Sequence, residues 1–140
     1  MERPTDVRLL MSENSDALKR GYEAFNSGDV EALAEIYEDD VRWEGPDTEG
    51  VPMSGVYEGK EAVLQALGQI PENFEQFRVS PDELVEQGDT IVVLSHIEGR
   101  TKSGNAIKLP GVEVWRMTGG RAKRVQSLVD TAEMKAALGS

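Results

Sequence analysis

The sequence contains no cysteine and only one histidine, His96. The absence of cysteine excludes disulfide bonds, thiolate catalysis and cysteine metal ligands. A single imidazole also argues against a catalytic zinc site, since such sites usually take two or three histidines. We therefore expect neither a bound metal nor another cofactor.

Basic residues and long apolar runs are also scarce. Lysine and arginine total 15 against 26 acidic residues, and the net charge of -11 argues against nucleic-acid binding. No apolar run approaches the roughly 20 residues that a membrane span requires. The first residues lack the apolar core of a secretory signal, so we expect a cytoplasmic protein with no membrane partner.

The 140 residues fit one domain, with 1–14 predicted as a flexible N-terminal arm and 15–140 as a single domain. From Ser15 the apolar spacing predicts a helix that ends at Gly28. A second helix is predicted to carry Leu33, Ile36 and Tyr37 on one stripe and to end in "EDD", and "KEAVLQALGQI" predicts a third. The first half of the chain is therefore mainly helical.

Strands dominate the second half. "VRWEG", "TIVVLSHIEGRT", "AIKLPGVEVWRM" and "AKRVQSLV" read as strands, and "KSGN" and "TGGR" read as hairpin turns. Asp130 then favours the N-cap of a closing helix. Helices segregated from a strand meander predict an α+β domain, in which a curved antiparallel sheet wraps around the long first helix and encloses a pocket.

Five segments carry a family resemblance by their order and spacing: "YEAFNSGDVEALAEIYEDDVRWEGP", "GVYEGKEAV", "GDTIVVLSHIEGR", "VEVWRMTGGR" and "DTAEM". From about Ala17 to Leu138 the chain resembles SnoaL-like polyketide cyclases and ketosteroid isomerases of the nuclear transport factor-like superfamily. The resemblance implies a cone-shaped fold, a cystatin-like α+β barrel with its helices on one side. It also implies a small hydrophobic ligand and a homodimer through the outer sheet face, with Val93, Val112 and Val114 pointing outward.

The catalytic positions of these families can be matched to residues of this sequence one at a time. The isomerase base aspartate matches Gly45, the oxyanion-binding tyrosine matches Gly21, next to Tyr22, and the second aspartate matches Glu113. The acid/base aspartate of SnoaL-like cyclases matches Ser127. The resemblance therefore implies a functional carboxyl group only at Glu113.

Glu113 interrupts the apolar alternation of "GVEVWRM" and shares a strand face with Trp115 and Met117. Burial there would raise its pKa and suit it to act as a general acid or base, or as an oxyanion donor. The alternative is a solvated glutamate, or one that forms a salt bridge with Arg100 or Arg116.

His96 shares a strand face with Leu94 and Glu98. If the strands pair through the "KSGN" turn, this face is also that of Glu113, and His96 becomes its predicted catalytic partner. The alternative is a structural histidine with one satisfied nitrogen. The residues predicted to contact a ligand are Trp43, Tyr57, Trp115, Leu94, Glu98, Met117 and Ser127, whereas Tyr22 is expected to pack the first helix on the sheet.

These residues lead to three functional hypotheses. The first is a SnoaL-like enzyme that performs cofactor-free acid/base chemistry, isomerase- or cyclase-like, on a hydrophobic ligand bearing a carbonyl group. The second is a non-catalytic binding module for an apolar small molecule. The third is a dimerisation domain with a vestigial pocket.

Overall fold

The computed structural model describes residues 12–139 as five helices and six strands. The helices are α1 Glu13–Ser27, α2 Val30–Ala34, α3 Lys60–Leu67, α4 Gln69–Asn73 and α5 Thr131–Gly139. The strands are β1 Tyr37–Glu44, β2 Val56–Glu58, β3 Phe74–Gln87, β4 Thr90–Thr101, β5 Ala106–Thr118 and β6 Arg121–Val129. The larger part of the predicted arm, residues 1–11, lies outside the described residues.

The six strands form one sheet in the order β2-β1-β6-β5-β4-β3. Neighbouring strands run antiparallel, except that β1 and β6 are parallel. The sheet is curved and remains open between its β2 and β3 edges. This architecture confirms the predicted α+β, cone-like fold.

Helix α1 begins at Glu13, two residues before its predicted start. The backbone N–H of Ser15 donates to Ser12 Oγ over 2.9 Å, which caps the first turn. The Asn14 amide donates to the carbonyl of Met117 and accepts from the N–H of Gly120. Residues 12–14, predicted as part of the arm, therefore fasten the helix to the turn between β5 and β6.

The second helix is shorter than predicted. It ends at Ala34, and Tyr37 begins β1, so that the "EDD" segment is extended rather than helical. The carbonyl of Ile36 accepts a hydrogen bond from Ala122 N–H at 2.7 Å, and Tyr37 pairs with Ala122 on β6. Sheet pairing and the burial of Tyr37 thus override the local helical spacing. The predicted third helix is divided at Gly68 into α3 and α4.

The register between β4 and β5 decides which side chains face inward. Arg100 pairs with Ala106, and the N–H of Thr101 donates to the carbonyl of Asn105, so residues 102–104 form the turn. A four-residue "KSGN" turn would pair Thr101 with Ala106 instead. A register shift of one residue moves every side chain of a strand to the opposite face, and as a result Val93, not Leu94, lies opposite Glu113.

Candidate active site

The concave face of the sheet and the helices enclose a cavity. The space that the centre of a water-sized sphere can occupy in it is about 90 Å³. Most of the lining is apolar, with α1 supplying Leu18 and Phe25 and the loop after β1 supplying Pro46 and Met53. Among the described lining residues there is no lysine, arginine or histidine, and Glu113 is the one carboxylic side chain.

Glu113 is held in this cavity by two neighbours. The Tyr22 hydroxyl donates a hydrogen bond to Oε1 of Glu113. The Trp115 indole N–H is 3.3 Å from the same Oε1 and 3.2 Å from the Tyr22 hydroxyl oxygen, so it is shared between the two. Both of these hydrogen bonds go to Oε1, and none of the described residues donates to Oε2.

Aromatic packing fixes the position of Trp115. The Tyr37 ring stacks on it at a centroid distance of 6.1 Å and an interplanar angle of 20°. The rings of Tyr22 and Trp43 meet it edge-on, at 6.1 Å and 6.3 Å. Because offset and edge-on contacts between buried rings are favourable, these neighbours orient the indole N–H toward the carboxyl group.

Burial raises the pKa of Glu113, because the apolar surroundings disfavour the charged carboxylate. The hydrogen bonds from Tyr22 and Trp115 act in the opposite direction and lower this pKa. Burial and the nearby charge of Glu113 raise the pKa of Tyr22 well above its ordinary value. Tyr22 therefore stays protonated and donates to Glu113 throughout the physiological range.

The structure answers the question of whether Glu113 forms a salt bridge with an arginine. Arg100 and Arg116 lie at outward positions of β4 and β5, and Arg100 donates to the carbonyl of Gly104. Neither arginine reaches the cavity. The partners of Glu113 are the phenol and the indole, so the salt-bridge alternative is wrong.

Five predicted ligand contacts lie on the inward face, but only three of them line the cavity. Trp43, Trp115 and Ser127 line it, whereas Met117 is fully buried in the core beside it. Tyr57 lies on the edge strand β2 and is also outside the lining. Its hydroxyl donates to the carbonyl of Ser54 over 2.7 Å. The structure therefore brings neither Met117 nor Tyr57 to the cavity.

His96 lies on the outer face of the sheet, together with Leu94 and Glu98. Its Nδ1 is 2.9 Å from Oδ2 of Asp82, and its Nε2 is 3.4 Å from Oε1 of Glu98. The hydrogen bond with Asp82 is the main cause of a raised pKa of His96. The predicted placement of Leu94, His96 and Glu98 beside Glu113 is wrong, because the β4–β5 register turns them away from the cavity.

Tyr22 is the functional candidate that the sequence reasoning missed. The apolar stripe of α1 indicated that Tyr22 packs on the sheet, and it does, but its hydroxyl also reaches Glu113. The nearest sequence signal was the family tyrosine position at Gly21. A Cβ atom there would lie 2.5 Å from Cδ1 of Ile36. Glycine at this position therefore allows α1 to pack closely against Ile36.

Gly45 has no room for the base that isomerases carry at the matching position. A Cβ atom on Gly45 would lie 1.8 Å from the carbonyl oxygen of Met53. The N–H of Gly45 also donates to the carbonyl of Gly55, which holds the loop after β1 against this strand. The backbone therefore occupies the space in which an aspartate would begin.

Residues 12–139 contain neither a metal-binding cluster nor a membrane-spanning helix. No group of three or more histidine, aspartate or glutamate side chains in this range is arranged to hold a metal ion. None of the described helices combines the length and the apolar character needed to cross a bilayer.

The sequence profile of the SnoaL-like domain matches residues 18–125. The chain belongs to the SnoaL-like family. No match was found among curated proteins. Family membership agrees with the cone-like α+β fold.

Solved structures extend the likeness over nearly the whole chain. An NTF2-like protein of unknown function from Burkholderia pseudomallei is 32% identical, with a TM-score of 0.87 and coverage of 93% of this chain and 100% of the other. TerC, co-crystallised with polyporic acid, is 29% identical, with a TM-score of 0.85 and coverage of 92% and 100%. IdmH from Streptomyces antibioticus, a proposed polyketide cyclase, shares the fold at 24% identity and a TM-score of 0.78, with coverage of 92% and 100%.

Proposed function

We propose that this chain is a SnoaL-like enzyme that performs acid/base chemistry, isomerase- or cyclase-like, on a small hydrophobic ligand bearing a carbonyl group. The observation that carries the proposal is the Glu113 carboxyl group. It lies in an apolar cavity with Oε1 held by Tyr22 and Trp115, and none of the described residues donates to Oε2. A raised pKa brings such a group closer to neutral pH, where it both accepts and returns a proton efficiently.

The chemistry follows from this geometry. Oε2 of Glu113 removes a proton from the carbon next to the ligand carbonyl, and the electron pair moves to form the enolate. The protonated Glu113 then returns the proton to another carbon of the conjugated system, which gives an isomer. Alternatively, the enolate carbon forms a C–C bond with a second carbonyl carbon of the same ligand, the π electrons of that carbonyl move to its oxygen, and this oxygen takes the proton from Glu113, which closes a ring. Each step needs only a proton acceptor and donor.

The ligand class follows from the cavity wall. The apolar lining favours a hydrophobic ligand body. The described lining contains one carboxyl group and no cationic side chain, so a negatively charged ligand would find no counter-ion there. TerC was co-crystallised with polyporic acid, and this supports a small organic ligand for the related cavity described here. The lack of a cationic side chain in the described lining leads us to expect a ligand that is neutral when it enters.

A generic test uses 2-tetralone, an apolar ketone with acidic α-hydrogens, in heavy water. NMR follows the exchange of these hydrogens for deuterium. We expect the protein to accelerate the exchange and Glu113→Gln to reduce kcat by at least about 100-fold, within the range for proton-transfer groups. Tyr57→Phe is the matched control, since that hydroxyl lies outside the cavity, and it should exchange at the original rate. Equal rates for the original protein and Glu113→Gln would remove the proposed role.

A non-catalytic binding module is the second candidate. It is favoured by the glycine at the isomerase base position and by the presence of only one carboxylic side chain in the described cavity lining. Such a module would bind 2-naphthol, a planar analogue of the 2-tetralone enol, without exchanging the hydrogens of 2-tetralone. Measurable exchange that depends on Glu113 would exclude it.

We also propose a homodimer through the outer sheet face. Leu94, Val112 and Leu128 lie side by side on β4, β5 and β6, and Leu94 and Leu128 are 40% and 63% exposed. A row of apolar side chains across three strands suits the same row of a second copy about a two-fold axis. Val93, predicted to point outward here, is instead fully buried on the inner face.

Sedimentation at micromolar concentration tests the dimer. We expect a dimer for the unsubstituted chain and a monomer for Leu128→Glu, because a charge at this end of the row would be buried in the interface without a partner. Lys123→Glu is a control on an exposed position of the same strand. If the unsubstituted protein sediments as a monomer, the proposal is contradicted and the dimerisation hypothesis loses its support.

A further inference from the structure

One donor in the cavity wall has no partner. Trp43 is 5% exposed and lines the cavity, and its indole N–H is buried with no hydrogen-bond partner among the described residues. A buried N–H that has left water without gaining an acceptor is destabilising, and such groups are rare in folded proteins. This donor therefore calls for an acceptor that arrives with a ligand.

Ser127 places a hydroxyl group on the same wall. It is buried, lines the cavity and lies directly opposite Glu113 across the β5–β6 pair. Trp43 pairs with Val125, which is two residues before Ser127 on β6. Side chains at such diagonal positions on one face are within reach of each other when one of them is long or aromatic. Trp43, Ser127 and Glu113 therefore occupy adjacent inward positions on three neighbouring strands.

The two indoles of the chain differ in what their N–H groups contact. The N–H of Trp115 is shared between Tyr22 and Glu113, whereas that of Trp43 contacts no acceptor in residues 12–139. The Tyr22 hydroxyl is also committed, because it donates to Oε1 of Glu113. While Glu113 acts as a base, neither Tyr22 nor Trp115 is available to a ligand oxygen. The donor for that oxygen must come from elsewhere in the wall.

We propose that the carbonyl oxygen of the ligand binds the indole N–H of Trp43, with the Ser127 hydroxyl as a second donor, so that the α-carbon faces Glu113. The inference rests on the proposed acid/base function and states where the ligand oxygen lies. It reverses the arrangement implied by the isomerase resemblance, in which the position of Glu113 receives the oxygen and the position of Gly45 supplies the base.

The proton-transfer step balances in this arrangement. The α-C–H bond breaks, its proton forms an O–H bond with Oε2 of Glu113, and its electron pair forms the C=C bond of the enolate. The carbonyl π electrons move to the oxygen, whose growing negative charge is stabilised by the N–H of Trp43 and the hydroxyl of Ser127. Return of the proton from Glu113 to carbon completes the turnover. Donors aimed at the developing charge accelerate such a step because they are already oriented in a site shielded from water.

The first test locates the ligand oxygen by an NMR binding measurement on the unsubstituted protein. Both tryptophans of the chain line the cavity, so a ¹⁵N-labelled protein gives two indole N–H signals from it. Trp43→Phe assigns them. On addition of 2-naphthol we expect the Trp43 signal to move downfield, as a new hydrogen bond forms, and the Trp115 signal to remain nearly in place.

The second test separates rate from binding. We expect Trp43→Phe and Ser127→Ala each to lower kcat for 2-tetralone exchange by about 100- to 1,000-fold, as removal of an oxyanion donor does, with a smaller change in KM. Ser127→Ala removes a single oxygen atom and guards against misfolding of the tryptophan variant. Tyr57→Phe again serves as the control. Unchanged kcat in both variants overturns the proposal.

The outcomes distinguish this inference from the function on which it rests. If the Trp115 signal moves and the Trp43 signal does not, the oxygen lies at Glu113 and the inference is wrong, even if Glu113→Gln abolishes exchange. If the Trp43 signal stays in place because its N–H points at the Trp115 ring, which it meets edge-on, the inference is again wrong. The absence of 2-naphthol binding at millimolar concentration also contradicts it. Loss of exchange in Trp43→Phe but not in Glu113→Gln would instead remove the proposed function.

Discussion

Tyr22 and Glu113, 91 positions apart in the sequence, are joined by a hydrogen bond in the wall of an apolar cavity. The phenol donates to one carboxylate oxygen, and the Trp115 indole braces both groups. This contact ties the long first helix to the middle of the sheet. It also occupies Oε1 of Glu113, whereas none of the described residues donates to Oε2, and the following predictions depend on it.

Tyr22→Phe should shift the pH dependence of exchange. The Tyr22 hydrogen bond lowers the pKa of Glu113, so its removal should raise that pKa further. Because the base must be ionised, the rise of kcat/KM with pH should move to higher pH, and the rate at neutral pH should fall by about tenfold or more. Rate measurements across the pH range on 2-tetralone, with Tyr57→Phe as control, test this. A profile that does not move would show that the phenol does not stabilise the carboxylate.

Glu113→Gln should change how stability depends on pH. A raised pKa means that the folded protein binds a proton that the unfolded chain has lost, so ionisation of Glu113 costs stability as pH rises. The loss begins at the ordinary glutamate pKa and is complete above the pKa of Glu113 in the folded protein. Relative to the original chain, Glu113→Gln should therefore become progressively more stable across this window. Urea unfolding at several pH values measures the difference, and a difference independent of pH would contradict burial of the charge.

His96 should titrate independently of Glu113. Its raised pKa comes mainly from Asp82 on the outer face, so Asp82→Asn should lower that pKa and Glu113→Gln should leave it unchanged. The stability supplied by this pair should be present below the ordinary histidine pKa and be lost as pH rises through the folded value. NMR titration of the single imidazole checks both variants. A shift caused by Glu113→Gln would restore the sequence-based pairing that the structure contradicts.

Gly45→Ala should destabilise the loop after β1. The added methyl group would lie 1.8 Å from the carbonyl oxygen of Met53, so the backbone must move apart. We expect a loss of about 1–3 kcal/mol in the free energy of unfolding, as in overpacked sites. Gly139→Ala, where nothing lies within contact distance, is the matched control in thermal unfolding. Equal stability of the two variants would show that the loop adapts and that the isomerase position is available.

The alternation of inward and outward side chains along a single strand could be predicted from the sequence. Glu113, Trp115 and Met117 share a face because a strand has a period of two, and the structure confirms it. The inward positions of Trp43 and Ser127 follow in the same way. Such patterns depend only on neighbours in the chain, and therefore the fold and four of the cavity residues could be predicted.

Relationships between elements were harder to predict. The placement of His96 depended on one residue in the turn after β4, since Arg100 rather than Thr101 pairs with Ala106. The role of Tyr22 depended on the distance between α1 and β5, which no local pattern encodes. Tyr37 has helical spacing with Leu33, yet pairing with β6 draws it into a strand. The energies that decide these cases arise from tertiary contacts.

The most direct test of the account is a ¹³C NMR titration of the glutamate side-chain carboxyl groups, with Glu113→Gln to assign the signal. Enclosure in the apolar cavity predicts that Glu113 titrates at a higher pH than an exposed glutamate, and that 2-naphthol perturbs its signal. A carboxyl group that titrates with the exposed glutamates and ignores 2-naphthol would contradict the central claim that Glu113 is the acid/base group of an enclosed site.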